Sequence, residues 1–152
     1  MKTFLIITVL ILLFDGCSQH TAFGEFNFTK TQELTEDSIQ SFKIKKGHDI
    51  DGIVHVVYLN KVFPKRYKKD EYFYVYYYLK DQNAKVSFLL NNKKALSKKQ
   101  LSANNEFSEI LSFNAPWSKY YLVKFKEEGN LLLFTIKTDK AAEATLKFVK
   151  DK

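Results

Sequence analysis

The amino-acid sequence predicts an all-β fold, an antiparallel β-sandwich of seven to nine short strands, with a small β-barrel as the alternative. Three observations carry that prediction. From Ile53 onward apolar side chains recur with a period of two. The segments between these runs are short and turn-like, Asp81-Gln82-Asn83, Glu127-Glu128-Gly129-Asn130 and Asp139-Lys140 among them; they suit antiparallel hairpins and leave no length for helical crossovers. Finally, 14 Phe and 9 Tyr supply the bulky, strand-favouring side chains from which a sheet core is built.

The chain opens with Met1-Lys2 and an apolar run from Phe4 to Phe14. A helix needs about 20 apolar residues to span a bilayer, so this run is too short for that and fits the apolar region of a secretory signal. It ends at Asp15-Gly16-Cys17-Ser18, which resembles the lipobox of bacterial lipoproteins. Gly16 is the small residue before the Cys; Phe14 and Asp15 stand where that family usually carries Leu and a small residue. The resemblance implies that residues 1–16 are a removable leader, that Cys17 is acylated and that the lipid holds the protein to a membrane. Ser18, in place of an Asp, implies outer-membrane sorting in double-membrane bacteria. Residues 17–24 read as a tether and 25–152 as a single domain. Cys17 is the only cysteine, so no disulfide is available and the fold rests on packing and hydrogen bonds.

Residues 25–46 carry mixed signals. Phe26 and Phe28 alternate with polar neighbours as in an edge strand; Thr35-Glu36-Asp37 suits the cap of a short helix to about Phe42; Ile39, Phe42 and Ile44 equally suit the start of the sheet. Strands are expected over Ile53 to Leu59 and over Glu71 to Lys80, the strongest strand signal, then over Lys85 to Leu90. Asn91 to Asn105 reads as a long Lys-rich loop with one helical turn at most. Phe107, Leu111 and Phe113 mark a strand ended by Ala115-Pro116. Lys119 to Lys126, Leu131 to Thr138 and Glu143 to Lys150 are the last three, with Gly129 expected at positive φ in its turn. The architecture is immunoglobulin-like in outline only, since Trp117 has no Cys pair to pack against. Leader and strand pattern together are broadly similar to the small immunoglobulin-like lipoproteins of bacterial envelopes.

The formal net charge is +7, and removing residues 1–16 leaves it unchanged because Lys2 and Asp15 go together. The excess gathers at Lys61, Lys65, Arg66, Lys68 and Lys69, and again at Lys93, Lys94, Lys98 and Lys99. Such clusters attract anionic partners, although runs of charge more often mark solvated faces. No nucleic-acid-binding pattern accompanies them, so nucleic acid is not an expected partner.

Four constellations are candidates for chemistry. His48, Asp49, Asp51 and His55 fall within eight residues; on a regular strand Asp49, Asp51 and His55 share one face, an arrangement that suits a metal ion but also an ordinary polar turn. Glu106 and Glu109 are a possible carboxylate pair, yet no nucleophile with a base and an orienting group is visible, so catalysis is not expected. Asn27 lies in Asn27-Phe28-Thr29, a glycosylation acceptor pattern. The fourth is the tyrosine row. Tyr72, Tyr74, Tyr76 and Tyr78 fall on one side of a strand and Phe73, Val75, Tyr77 and Leu79 on the other. The second set reads as core. The first is either an exposed amphipathic platform or the other face of a central strand buried on both sides, and aromatic cross-strand pairing favours the latter.

The function expected is binding: a lipid-anchored envelope protein, adhesin-like or an accessory subunit. Its expected face combines Tyr72, Tyr74, Tyr76 and Tyr78 with Lys65, Arg66, Lys68 and Lys69 and engages a protein or an anionic glycan without a cofactor. A metal-dependent or enzymatic centre at His48–His55 and a purely structural lipoprotein are the alternatives.

Overall fold

The computed structural model describes residues 38–110, 115 and 117–150; Cys17, the leader, the tether and Asn27 lie outside them. Nine strands form among the described residues: β1 (Ile39–Lys46), β2 (Asp49–Tyr58), β3 (Glu71–Leu79), β4 (Val86–Leu90), β5 (Lys93–Lys94), β6 (Ser97–Leu101), β7 (Lys119–Phe125), β8 (Leu131–Thr138) and β9 (Glu143–Val149). A one-turn helix α1 (Leu59–Val62) follows β2, and a 3-10 turn spans Ser108–Ile110. The fold is all-β and antiparallel, as the alternation predicts, with the strands in one curled sheet that resembles half a barrel.

The order across the sheet is β5-β4-β8-β9-β1-β2-β3-β7-β6. It divides into two halves, β5-β4-β8-β9 and β1-β2-β3-β7-β6. A single ladder pair, Lys45 with Glu143, joins them at β1 and β9. The chain itself joins them again, because β5 pairs with β4 while β6, two residues later, pairs with β7. Lys98 Nζ on β6 donates to the Val86 carbonyl on β4 at 3.0 Å, so a side chain also links the two ends of the sheet.

Between the halves lies the main core. Phe73, Val75, Tyr77 and Leu79 of β3 pack there with Phe88, Phe125, Phe134, Leu146 and Phe148. Phe73 sits centrally, with ring centroids 4.9 Å from Phe134 and 5.9 Å from Phe125. Fully burying one such side chain stabilises by about 1.5–3 kcal/mol, and no disulfide supplements that here. Among the described residues one charged side chain is fully buried, Glu71, at 1% exposure. It accepts from Tyr58 Oη at 2.6 Å and from the Glu128 backbone N–H at 3.0 Å, and it pairs with Lys150. Its lone pairs are thus occupied, which is what makes a buried carboxylate tolerable.

Several expectations are corrected. Residues 39–46 form a strand, with no helix reaching Phe42, because β1 pairs with β2 along its whole length. The segment 91–105 is partly strand: β5 and β6 carry Lys and Gln rather than alternating apolar residues, since edge strands are commonly charged. Phe107 precedes a 3-10 turn instead of lying in a strand, while Leu111 and Phe113 lie outside the described residues. Gly129 does not have positive φ; the left-handed positions include Gly47 at the β1–β2 turn and Asn91 and Asn92 between β4 and β5. Two successive positive φ values are what a two-residue type I′ hairpin requires.

Candidate functional site

The outer face of β2, β3 and β7 holds the tyrosine row, and it is not one surface. Tyr74 and Tyr76 are 1% and 4% exposed, so the row fails as a four-phenol platform, and the reading of β3 as a strand buried on both faces holds over its middle. The cover is a second, smaller core. Phe107, Leu59, Val62, Tyr67 and Tyr120 pack over Val57, Tyr74 and Tyr76. Phe107 lies 5.0 Å from Tyr74 between ring centroids, and Asn105 Nδ2 donates to Tyr74 Oη at 3.2 Å. Burial pushes the Tyr74 and Tyr76 hydroxyls above the ordinary tyrosine range, so both stay protonated and neutral.

The two ends of the row differ. Tyr72 is half-buried beside the cationic cluster, with Lys124 Nζ 5.5 Å from its ring centroid. Lys65, Arg66, Lys68 and Lys69 are exposed here, in the loop between α1 and β3. Arg66 pairs with Glu106 at 2.7 Å and stacks over Tyr67 at 5.2 Å; Lys124 pairs with Asp70 at 2.7 Å. The Asp70 carboxyl is held below the usual range chiefly by its hydrogen bond to Lys124. Part of the cluster's field is therefore neutralised by its own neighbours, as exposed pairs of this kind commonly are.

At the other end the face opens. Tyr78, Ile53 and Trp117 are 39%, 44% and 60% exposed. With His55, Tyr76 and Ser118 they line a groove of about 160 Å³. Its parts are well supported. His55 stacks on Tyr76, with centroids 4.3 Å apart and planes within 2°, and shares a 2.6 Å hydrogen bond with Ser41 Oγ through Nδ1. Burial lowers the His55 pKa below the usual histidine value, which favours the neutral ring. Trp117 sits in a turn closed by the Ser118 N–H donating to the Ala115 carbonyl at 3.0 Å. Tyr120 Oη clamps that turn, accepting from the Ala115 N–H and donating to its carbonyl, both at 2.9 Å. Tyr72 and Tyr78 are six residues apart on one strand, or about 20 Å. Cations and open aromatic surface therefore occupy opposite ends of the row and do not form the single basic, Tyr-bearing face expected.

The His–Asp candidate comes apart at a β-bulge. The β1–β2 register shifts between Ile44 and Lys45, so that Gly52 faces Ile44, Ile50 faces Lys45 and Asp51 has no partner on β1. The extra residue breaks the period of two, so Asp49, Asp51 and His55 do not share a face. No group of three or more His, Cys, Asp or Glu side chains gathers among the described residues. Gly52 is required at the bulge, because a Cβ there would lie 2.2 Å from the Tyr78 carbonyl oxygen.

The groove residues Ile53, Trp117 and Ser118 were not legible as a site. Trp117 is the one signal in the sequence, a lone Trp beside a Pro with no disulfide to cover. No protein-family model, curated protein or solved structure matches this chain. Among the described residues no helix is long and apolar enough to cross a membrane.

Proposed function

We propose that this chain is a lipid-anchored protein of the bacterial cell envelope, held through Cys17, whose β domain works as a binding module for a protein or glycan partner. The observation that carries the binding role is the open aromatic groove of Trp117, Tyr78 and Ile53 on a rigid sheet. Exposed aromatic side chains of this kind are enriched at recognition surfaces, where they give contact area at little conformational cost. His55 and Ser118 add polar groups that can orient a ligand. The cationic loop at Lys65–Lys69 contributes long-range attraction to an anionic partner more than contact at the groove. The lipid anchor is supported by the leader and Cys17 alone. Catalysis is not part of the reading, and the hydrogen-bonded Ser41–His55 pair is taken as support for the groove wall.

Affinity capture from envelope extract tests the groove, using wild type, Trp117→Ala/Tyr78→Ala and Lys65→Glu/Lys68→Glu proteins. A partner retained by wild type should be lost with the aromatic double variant and bound more slowly, without the loss of affinity that added salt causes in wild type, by the charge variant. Retention by the aromatic variant would reject the groove. Mass spectrometry of the mature amino terminus tests the anchor: an acylated residue 17 is expected, and an intact Met1 would remove the envelope assignment.

A further inference from the structure

Backbone pairing between β1 and β9 is confined to Lys45 and Glu143, the one residue pair that their ladder contains. Past that point the Gln40 side-chain amide donates to the Lys147 carbonyl, filling a place where a backbone N–H would stand in a continued ladder. Phe42 reports the same opening. It lies on the inner face, opposite Val54 and two residues from Ile44, both fully buried, yet it is 52% exposed. A cavity of about 240 Å³ lies at the wide end, lined in part by Ser38, Gln40, Lys147 and Val149. A second, of about 310 Å³, runs beside Ser41, Phe42, Lys43 and Lys45 of β1.

The rim of this wedge is cationic. Lys43, Lys45 and Lys147 are exposed, and none has an acidic partner among the described residues. Some other lysines of the sheet are paired, as Lys137 is with Glu143 at 3.1 Å and Lys93 with Glu128 at 2.7 Å, while Lys94 and Lys99 on the far edge are, like these three, without an acidic partner among the described residues. Among the described residues the wedge thus combines a strand edge with little backbone pairing, a half-exposed aromatic on the inner face and lysines without an acidic partner.

We propose that the wedge is a strand-accepting site for an extended acidic segment of a partner protein. The segment adds to the free edge of β1 over about six residues. Its backbone takes the edge hydrogen bonds and displaces the Gln40 amide. An apolar side chain covers Phe42, and carboxylates on alternate residues meet Lys43, Lys45 and Lys147. This site adjoins the aromatic groove, since Ser41 and Lys43 lie opposite His55 and Ile53, but it uses the other edge of β1 and does not rest on the groove's binding role.

The probe is an acetylated, amidated nine-residue peptide alternating Glu with Val and Phe, titrated into the isotopically labelled full chain and followed by NMR and amide exchange. Binding is expected to shift β1 and β9 resonances and to protect the β1 amides that do not bond to β2. Affinity should fall about tenfold or more, equivalent to 1.4 kcal/mol, in Lys43→Glu/Lys45→Glu protein, in Lys147→Glu protein, and for a peptide N-methylated on its pairing edge. The two charge variants differ in location, so misfolding of one leaves the other as a test. Failure to bind overturns the proposal, as does equal binding of the N-methylated peptide, which would mean plain charge attraction. Protection of the same amides without peptide also overturns it: concentration-independent protection assigns the edge to this chain's own residues before Ser38, and concentration-dependent protection to a second copy.

Discussion

Strand β3 carries two cores of different kinds on its two faces. The inner one, around Phe73, Val75, Tyr77 and Leu79, is closed by strands from across the sheet, whose backbone pairing fixes where Phe125, Phe134 and Phe148 stand. The outer one, over Tyr74 and Tyr76, is closed by Phe107 in a loop, by the single turn α1 and by Tyr67. Strands supply a lid that local movement cannot lift; a loop supplies one that can open without breaking the sheet. The exposed groove begins where the loop lid stops.

Substitutions can sharpen that contrast or abolish it. Phe73→Ala should have the largest effect, a loss of about 3–5 kcal/mol in chemical denaturation, because its fully buried site has rings on several sides and cannot collapse. Phe107→Ala should cost about 3 kcal/mol, the lower end of the same range. Its signature should be local: Tyr74 and Tyr76 become open to nitration while inner-face amides stay protected from exchange. If nitration and loss of inner protection rise together, the two cores are one cooperative unit and the contrast fails. The smallest effect is electrostatic. The folded His55 pKa is lowered by burial, so the unfolded state binds the proton more readily. Stability is then complete above the unfolded value of about 6.5 and declines as pH falls through it toward the folded value. Melting between pH 7.5 and 5 should show this slope in wild type and a flatter one in His55→Phe. The Asp70, Asp81 and Glu128 carboxyls, all shifted downward by lysine partners, titrate below this window and leave it clear.

What could be read beforehand follows the same division. Period-two alternation located β3, β4, β7, β8 and β9 to within a residue or two, because each has one face in the strand-closed core. It missed β5 and β6, whose edge positions are filled with Lys and Gln and bury almost nothing. It placed Tyr72 to Tyr78 on one side correctly but could not show that Phe107 lies over the middle of that row, since a loop's landing place leaves no periodic trace. The His48–His55 reading failed on one inserted residue at Asp51, a bulge that only the register with β1 reveals. Trp117 gains its meaning from Ile53 and Tyr78, which are distant in the chain.

The order of assembly inherits a constraint from β9. This strand joins the two halves of the sheet, between β8 and β1, yet it is the latest of the nine to be synthesised. A polypeptide emerging amino end first can fold the β1–β2 hairpin early, but the seam between the halves must wait for residues 143–149. Contacts of such long sequence separation slow folding, and until they form, the apolar side of β1 and β8 stays uncovered. A nascent chain halted before Glu143 should therefore remain sensitive to protease and be held by chaperones, and release should come only once that final ribbon is available.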